Sequence, residues 1–233
     1  MFDFVSGEVL LFDKPYKWTS FDVVNLIKSK FKNILNQKIK IGHAGTLDPL
    51  ATGLLILLTG RKTREMEIVQ AMEKEYIGTF HLGATTPSYD LEKEVDKHFP
   101  IEHIDEQLIY KTAESFIGEI MQMPPEHSAV KIDGKRAYEY ARQGKSIEIK
   151  PRPITIKSFE ITRIEMPEVD FKVTCSKGTY IRSLARDFGD SLNSGAYLSS
   201  LCRTRIGNYL LEDAMNPRDF VEIIEKMKNS EMI

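Results

Sequence analysis

An unbroken run of five apolar residues, Leu54–Leu58, lies between two glycines in the first third of the chain. A short continuous apolar run bounded in this way is typical of a fully buried strand. The stretch before it, Gly42–Gly53, contains glycines, threonines, a proline and a histidine, and this composition predicts a loop. The pattern therefore predicts a polar loop that leads directly into a buried strand.

The remaining apolar positions predict an alternation of helices and strands. Tyr76, Phe80 and Leu82 recur with the period of a strand. Val23, Val24, Ile27 and Phe31 recur with that of a helix, and Leu108, Ile109, Phe116 and Ile117 are expected to face inward on another helix. The predicted strands are Val9–Phe12, Lys74–Gly83, Ile154–Ile164 and Val169–Cys175, and the predicted helices are Phe21–Phe31 (capped by Thr19 and Ser20), Ile104–Ile117, Tyr138–Arg142, Tyr180–Leu192 and Pro217–Met227. Asp133-Gly134 predicts a hairpin turn.

The candidate for chemistry in the loop is Asp48. A loop joined to a buried strand can present one carboxylate rigidly to a substrate. The alternative is that Asp48-Pro49 is a turn, or that Asp48 caps a helix whose first residue is Pro49. Composition alone favours the turn.

The order of residues changes this balance. Residues 42–55, GHAGTLDPLATGLL, resemble the signature of the TruB family of tRNA pseudouridine synthases, and the related RNA-guided dyskerin family shares much of it. The resemblance implies that Asp48 is the catalytic residue. A second block, which contains Tyr180, Ile181 and Arg182, also resembles the family, and it implies that Arg182 pairs with Asp48. Taken alone, Arg182 would be a surface arginine on a helix.

The resemblance also implies roles for residues that would otherwise have ordinary explanations. Tyr76 is expected to stack against the target uracil, although a tyrosine on such a strand is more often part of the core. Leu201 is expected to pack beside the flipped base, although hydrophobicity alone would make it core. His43 resembles the residue that fills the vacated base stack, and its alternative is a surface histidine. Tyr180 is a further expected substrate contact.

Some positions depart from the family pattern. The family usually has a glycine where Lys17 stands. The segment Thr86–Asp90 lacks the expected Thr-Asp-Thr-x-Asp order, although its Asp90 is retained as a substrate-binding candidate. Lys14 either helps to shape the active site or is a turn lysine.

Charge is distributed unevenly although the net charge is only −2. The segment 131–157 has eight basic and three acidic residues, whereas 90–126 has three basic and ten acidic residues. A basic face opposite an acidic flank would orient an RNA partner, although two solvated surfaces would give the same pattern. The expected electrostatic contacts with an RNA stem are Lys131 and Arg136, with Lys135 and Arg142 nearby.

Arg64 ends the basic segment Gly60–Arg64. The glycine spacing excludes a nucleotide-triphosphate loop, because Gly53 lies seven residues before Gly60 and a buried strand fills the interval. We therefore expect Arg64 to contact an RNA phosphate, which positions RNA without recognising its sequence.

Composition agrees with a globular protein of the cytoplasm. The 233 residues contain no long apolar segment and no signal-like N-terminus. Two cysteines without metal-type spacing fit free thiols in a reducing compartment. We expect no metal, no nucleotide cofactor and no membrane partner, and a monomer. The resemblance implies that its partner is the T-arm of tRNA.

The fold implied by the resemblance is α/β (α+β), with a mixed, largely antiparallel central sheet flanked by helices and an inserted basic lobe. Residues 1–233 are expected to form a single catalytic domain, with the family match over about 8–210, a C-terminal helix in 211–233 and no PUA domain. The implied activity is isomerisation of the T-loop uridine at position 55 to pseudouridine. The alternatives are a guide-RNA-dependent synthase of the dyskerin type and a non-catalytic tRNA-binding module or chaperone.

Overall fold

The computed structural model describes residues 2–125, 131–132, 135–136 and 149–229. The chain forms two compact units, one of Met1–Tyr76 with Leu201–Ile233 and the other of Ile77–Ser200. Most of the predicted basic lobe lies outside the described residues, as do the Asp133-Gly134 turn and the predicted helix Tyr138–Arg142. Within the described part of the chain, no helix has the length and apolar character needed to cross a membrane.

The elements follow each other with short connections over most of the described chain. In chain order they are β1 (Val9–Lys14), α1 (Ser20–Ile34), β2 (Ile41–His43), β3 (Thr52–Thr59), α2 (Met66–Ala71), β4 (Lys74–Leu82), β5 (Ala84–Thr85), β6 (Lys97–His98), α3 (Glu106–Ser115), β7 (Gly118–Gln122), β8 (Lys131–Ile132), β9 (Lys135–Arg136), β10 (Arg152–Glu165), β11 (Glu168–Cys175), α4 (Ile181–Ser191), β12 (Ala196–Ile206), β13 (Tyr209–Leu210) and α5 (Pro217–Asn229). The fold is α/β, with a mostly antiparallel central sheet flanked by helices, as expected.

Strand β3 is the centre of the first unit. It pairs antiparallel with β1 and β2, and parallel with β12. Leu55 and Leu57 face a core formed with α1 and α5, whereas Leu54, Ile56 and Leu58 face a second apolar cluster. The predicted apolar run is therefore continuous because both faces of the strand are buried.

The start of α1 is fixed by a capping box. The Thr19 hydroxyl accepts a hydrogen bond from the Asp22 amide at 3.1 Å, and the Thr19 amide donates to the Asp22 carboxylate at 2.7 Å. Such reciprocal bonds satisfy amides that a helix start leaves without partners. Val23, Val24, Ile27 and Phe31 are buried on one face, which confirms the predicted helix.

In the second unit the strand order is β4–β11–β10–β7. Strand β10 pairs antiparallel with both β11 and β7. Aromatic rings pack within this unit, with the Phe80 and Phe171 ring centroids 4.2 Å apart and Phe188 5.2 Å from Phe80. The short strands β8 and β9 pair antiparallel, Ile132 opposite Lys135, as the predicted hairpin requires.

Two predictions about elements were wrong. Residues 41–43 form strand β2, paired with Leu57–Thr59 of β3, so the loop is shorter than predicted and His43 lies on a strand. Glycine at position 42 does not prevent this pairing because a neighbouring strand supplies the hydrogen bonds. Ile117 is exposed rather than inward, since the helix ends at Ser115 and Thr112 and Ala113 take the buried positions.

Candidate active site

Asp48 lies in the connection between β2 and β3, half-buried, at the first position of a turn in which the Ala51 amide donates to the Asp48 carbonyl at 3.1 Å. The predicted turn and a functional carboxylate are therefore compatible. We refer to residues 44–51 as the Asp48 loop. What distinguishes this loop from an ordinary turn is that the residues on both sides of Asp48 are held by other elements.

On one side, Leu47 is bound to Ser20 of α1. The Leu47 amide donates to Ser20 Oγ at 2.8 Å, and Ser20 Oγ donates to the Leu47 carbonyl at 3.2 Å. Both residues are buried, with 2% of Ser20 and 4% of Leu47 exposed. Buried hydrogen bonds of this kind are costly to break because the groups left behind have no water to replace their partner. The start of α1 therefore fixes the backbone immediately before Asp48.

On the other side, the Pro49 carbonyl accepts two hydrogen bonds. Lys14 Nζ donates to it at 3.3 Å and the Lys17 amide donates at 2.9 Å. Lys17 has a φ of 66°, a left-handed conformation that favours glycine. This chain therefore has a lysine in a left-handed conformation where the family usually has a glycine.

Lys14 is fully buried at the end of β1. Its ammonium also donates to the carbonyls of Pro15 at 3.0 Å and Trp18 at 2.5 Å. Burial lowers the pKa of Lys14 to about 8, the negative charge of Asp48 opposes this shift, and the positive charge of Arg203 adds to it. Lys14 therefore contributes both hydrogen bonds and a positive charge to the surroundings of Asp48.

Two other predicted residues of the first unit lie near the ends of the loop. His43 is on β2 opposite Leu57, directly before the loop. Leu201 is half-buried on β12, and its carbonyl accepts a hydrogen bond from Thr52 Oγ1 at 3.4 Å, directly after the loop. Tyr76 is 8% exposed on β4. The first unit therefore brings His43 and Leu201 to the two ends of the Asp48 loop.

The second unit contains the predicted Arg182, Asp90 and Tyr180. Arg182 lies in the first turn of α4 with 5% exposure, so it is not a surface arginine. Its Nε is 3.7 Å from Asp90 Oδ2, and its NH1 donates to the Ser88 carbonyl at 3.4 Å. A buried guanidinium requires such partners, because an unpaired buried charge is strongly destabilising.

The segment Thr86–Asp90, which departs from the family pattern, is tied together by its own side chains. Thr86 Oγ1 donates to the Asp90 carbonyl at 2.7 Å and Ser88 Oγ donates to it at 3.2 Å. The Glu92 amide donates to Asp90 Oδ1 at 3.0 Å. Asp90 thus keeps a fixed carboxylate beside Arg182 although Pro87 and Ser88 replace the usual residues.

Tyr180 directly precedes α4 and is held by the side chain of Gln122. The Tyr180 amide donates to Gln122 Oε1 at 2.8 Å, and Gln122 Nε2 donates to the Tyr180 carbonyl at 3.1 Å. Ser183 Oγ also donates to the Met123 carbonyl at 2.8 Å. These contacts attach the start of α4, and with it Arg182, to the end of β7.

A basic recess of about 350 Å³ lies at the other end of β3. Lys38, Lys40, Arg61 and Arg64 line it together with apolar and small residues, and all four cations are exposed. The Asp48 loop precedes the first residue of β3, and the recess lies after the last residue of this strand. The length of β3 therefore separates the loop from the recess by about 23 Å, at about 3.3 Å per residue. The recess contains the predicted phosphate contact, Arg64, in a setting of concentrated positive charge.

Three residues that support the site were not predicted from the sequence to have a functional role. They are Ser20, Gln122 and Arg203, and each binds backbone atoms of a segment distant in sequence. Ser20 was predicted only as part of a helix cap. A polar residue at a buried position of an element is the one signal that could have indicated them.

Asp48 belongs to the first unit and Arg182 to the second, and their pairing stays a prediction. For Lys131 and Arg136 the structure describes the backbone pairing of β8 with β9. The side chains of Lys131, Lys135 and Arg136, and the whole of Arg142, lie outside the described residues.

Comparison with known proteins agrees with the motifs. Residues 32–181 match the family model described as TruB family pseudouridylate synthase (N terminal domain). The chain is 56% identical over 225 residues to tRNA pseudouridine synthase B of Flavobacterium johnsoniae, covering 96% of this chain and 98% of that protein. It is 52% identical over 232 residues to the protein of the same name from Phocaeicola vulgatus, covering 99% of each.

Among solved structures, the chain resembles a protein of an H/ACA RNP bound to a substrate RNA containing 2′-deoxyuridine. The TM-score is 0.71 at 29% identity, over 98% of this chain and 56% of that one. This similarity extends the agreement from sequence to the fold.

Proposed function

Because the chain belongs to the TruB family of pseudouridine synthases, we propose that it isomerises the uridine at position 55 in the T-loop of tRNA to pseudouridine. The observation that carries this proposal is the Asp48 loop, in which a half-buried carboxylate lies between two backbone segments fixed by Ser20 and Lys14. The relatives named tRNA pseudouridine synthase B cover almost the whole chain, and tRNA is the substrate that their name gives.

The reaction breaks the C1′–N1 glycosidic bond, turns the uracil within the enzyme, and forms a C1′–C5 bond. The proton on C5 leaves and N1 takes up a proton, so the change is an isomerisation without oxidant or reductant. A base inside a folded loop must first be flipped out of its stack, at a cost of a few kcal/mol. The enzyme therefore has to hold an extruded nucleotide and keep its separated base from escaping.

Asp48 supplies the carboxylate on which catalysis depends. It can attack C1′, attack the uracil ring, or take a proton from the sugar, and each route requires an ionised carboxylate in a fixed position. The hydrogen bonds at Leu47 and Pro49 provide this fixed position, because they leave the backbone at Asp48 little freedom to move.

Arg182 is proposed to pair with Asp48 and to orient its carboxylate, with Asp90 keeping the guanidinium in place. Tyr76 is proposed to stack on the uracil, and Leu201 to exclude water from the separated base. His43 is proposed to fill the gap left in the RNA. These assignments rest on the family motifs, together with the burial of Arg182 and Tyr76.

The basic recess is proposed to bind the phosphate backbone of the RNA. Arg64 and its three cationic neighbours are exposed, as a contact with a solvated polyanion requires. Such contacts add affinity and register but no sequence recognition. Lys131 and Arg136 are proposed as further contacts from the lobe.

The direct test is to incubate the purified protein with an unmodified tRNA transcript, without guide RNA or cofactor, and to map pseudouridine by carbodiimide modification and primer extension. We expect a single modified position, uridine 55. Conversion that appears only when a guide RNA is added would favour the dyskerin-type alternative, for which the similarity to the H/ACA structure is the supporting observation. Binding without conversion under all conditions would favour a tRNA-binding module.

A further inference from the structure

Arg203 is the largest fully buried side chain of the described residues, with 1% of its surface exposed. Its Nε donates to the Leu54 carbonyl at 2.8 Å, and its NH2 donates to the Gly45 carbonyl at 3.1 Å. Gly45 is the second residue of the Asp48 loop, and Leu54 lies three residues after it. One guanidinium thus connects the two ends of the segment that carries Asp48.

The fit between Arg203 and this segment is close. Strand β12 pairs parallel with β3 here, with Arg203 opposite Gly53. Gly53 has a φ of 97°, and a Cβ at this position would lie 2.4 Å from the Arg203 carbonyl oxygen. Only glycine allows the loop to enter β3 this close to Arg203. The sequence therefore places a glycine opposite a buried arginine where β3 pairs with β12.

A charged side chain at this position needs a reason, because an apolar residue could fill the volume without the cost of burying a charge. In the described part of the chain, both hydrogen bonds of Arg203 end on backbone carbonyls. Arg203 also lies near enough to Lys14 for their charges to interact, and Lys14 in turn interacts with Asp48. The rigid, planar fork of a guanidinium suits two acceptors at a fixed separation.

We propose that Arg203 is a positioning residue for pseudouridine formation, which holds the Asp48 loop in its reactive geometry by hydrogen bonding to both of its ends. Nothing in this role requires Arg203 to touch the RNA. The inference rests on the proposed function, since the geometry that it maintains is that of Asp48. Displacing a reacting group by about 1 Å can cost about 100-fold in rate.

The kinetic test compares Arg203→Met and Arg203→Lys with the wild type in steady-state assays on tRNA. We expect kcat to fall about 100-fold or more in Arg203→Met, with KM within about threefold of the wild type. Arg203→Lys should fall between the two, because it keeps the charge but loses the fork. The matched control is Arg205→Lys on the same strand, which contacts Glu73 at 2.8 Å rather than the loop and should leave both constants unchanged.

A second measurement keeps the proposal testable without activity. Hydrogen exchange of the peptide covering residues 44–51 should become about tenfold faster in Arg203→Lys, while exchange in α1 stays the same. If Arg203→Met fails to fold, Arg203→Lys alone decides the question. Wild-type kcat together with unchanged loop exchange in a folded variant would overturn the proposal. Wild-type protein without any activity on tRNA would instead refute the proposed function. The exchange experiment would still test whether Arg203 holds the Asp48 loop in place.

Discussion

Around Asp48, single side chains from distant parts of the sequence fix the backbone on both sides of this residue. Ser20 binds Leu47, and Lys14 binds Pro49, from 27 and 35 residues away. Lys17 adopts a left-handed conformation, and its amide donates to the same Pro49 carbonyl. The reactivity assigned to one residue therefore depends on others that contribute no reacting atom.

Lys14 offers a pH-dependent prediction at this scale. Its folded-state pKa of about 8 is below its ordinary value of 10.5, so between these pH values the unfolded chain binds more protons and stability rises with pH. The groups acting on Lys14 besides burial are Asp48, Arg203, Asp22 and Asp13. Relative to Lys14→Met, the wild type should gain roughly 1–3 kcal/mol in free energy of unfolding from pH 8 to pH 10.5.

Urea unfolding of both proteins at intervals across this pH range measures the difference directly. Other titrating groups are common to the two proteins and cancel in the comparison. A difference that stays flat or decreases with pH would show that Lys14 is not the buried cation described.

Among the elements, the start of helix α1 carries two neighbouring hydroxyl side chains that make different contacts. Thr19 closes the capping box, whereas Ser20, the next residue, holds the Asp48 loop. The two residues therefore allow the stability of the helix to be separated from the geometry of the site by one-residue substitutions.

Ser20→Ala should lower the free energy of unfolding by about 1–3 kcal/mol, because it leaves the buried amide and carbonyl of Leu47 without their partner, and it should also lower kcat. Thr19→Ala should cost about 1 kcal/mol through the lost cap with kcat unchanged. Denaturant unfolding and steady-state rates on tRNA provide both quantities. Equal kcat values for the two variants would mean that the Ser20–Leu47 contact does not support catalysis.

For the molecule as a whole, the basic recess predicts how RNA binding responds to salt. Arg64→Gln and Lys40→Gln should each weaken tRNA binding and reduce the slope of log K against log salt by about one, if each residue neutralises one phosphate. Lys111→Gln, on the exposed face of α3 within the acidic segment, serves as the control. Filter binding at several salt concentrations gives the slopes, and slopes equal to that of the control would exclude the recess from the RNA interface.

The elements that could be predicted from the sequence are those with a strong local pattern. The run Leu54–Leu58 and the apolar face of Phe21–Phe31 gave the right strand and helix because burial repeats along them. The hydrogen bonds of Ser20 and Arg203 could not be predicted, because they join residues 27 to 158 positions apart and leave no periodic trace. The strand at His43 was missed because its pairing depends on β3 rather than on its own composition.

The role of Asp48 is tested by the conversion of an unmodified tRNA transcript by Asp48→Asn. This change keeps the size of the side chain but removes its charge, so we expect tRNA binding within about threefold of the wild type and no pseudouridine at position 55 after single turnover. The control Asp213→Asn, at an exposed position of the same unit, should convert tRNA as the wild type does. Conversion by Asp48→Asn at the wild-type rate would contradict the assignment of Asp48 as the catalytic residue.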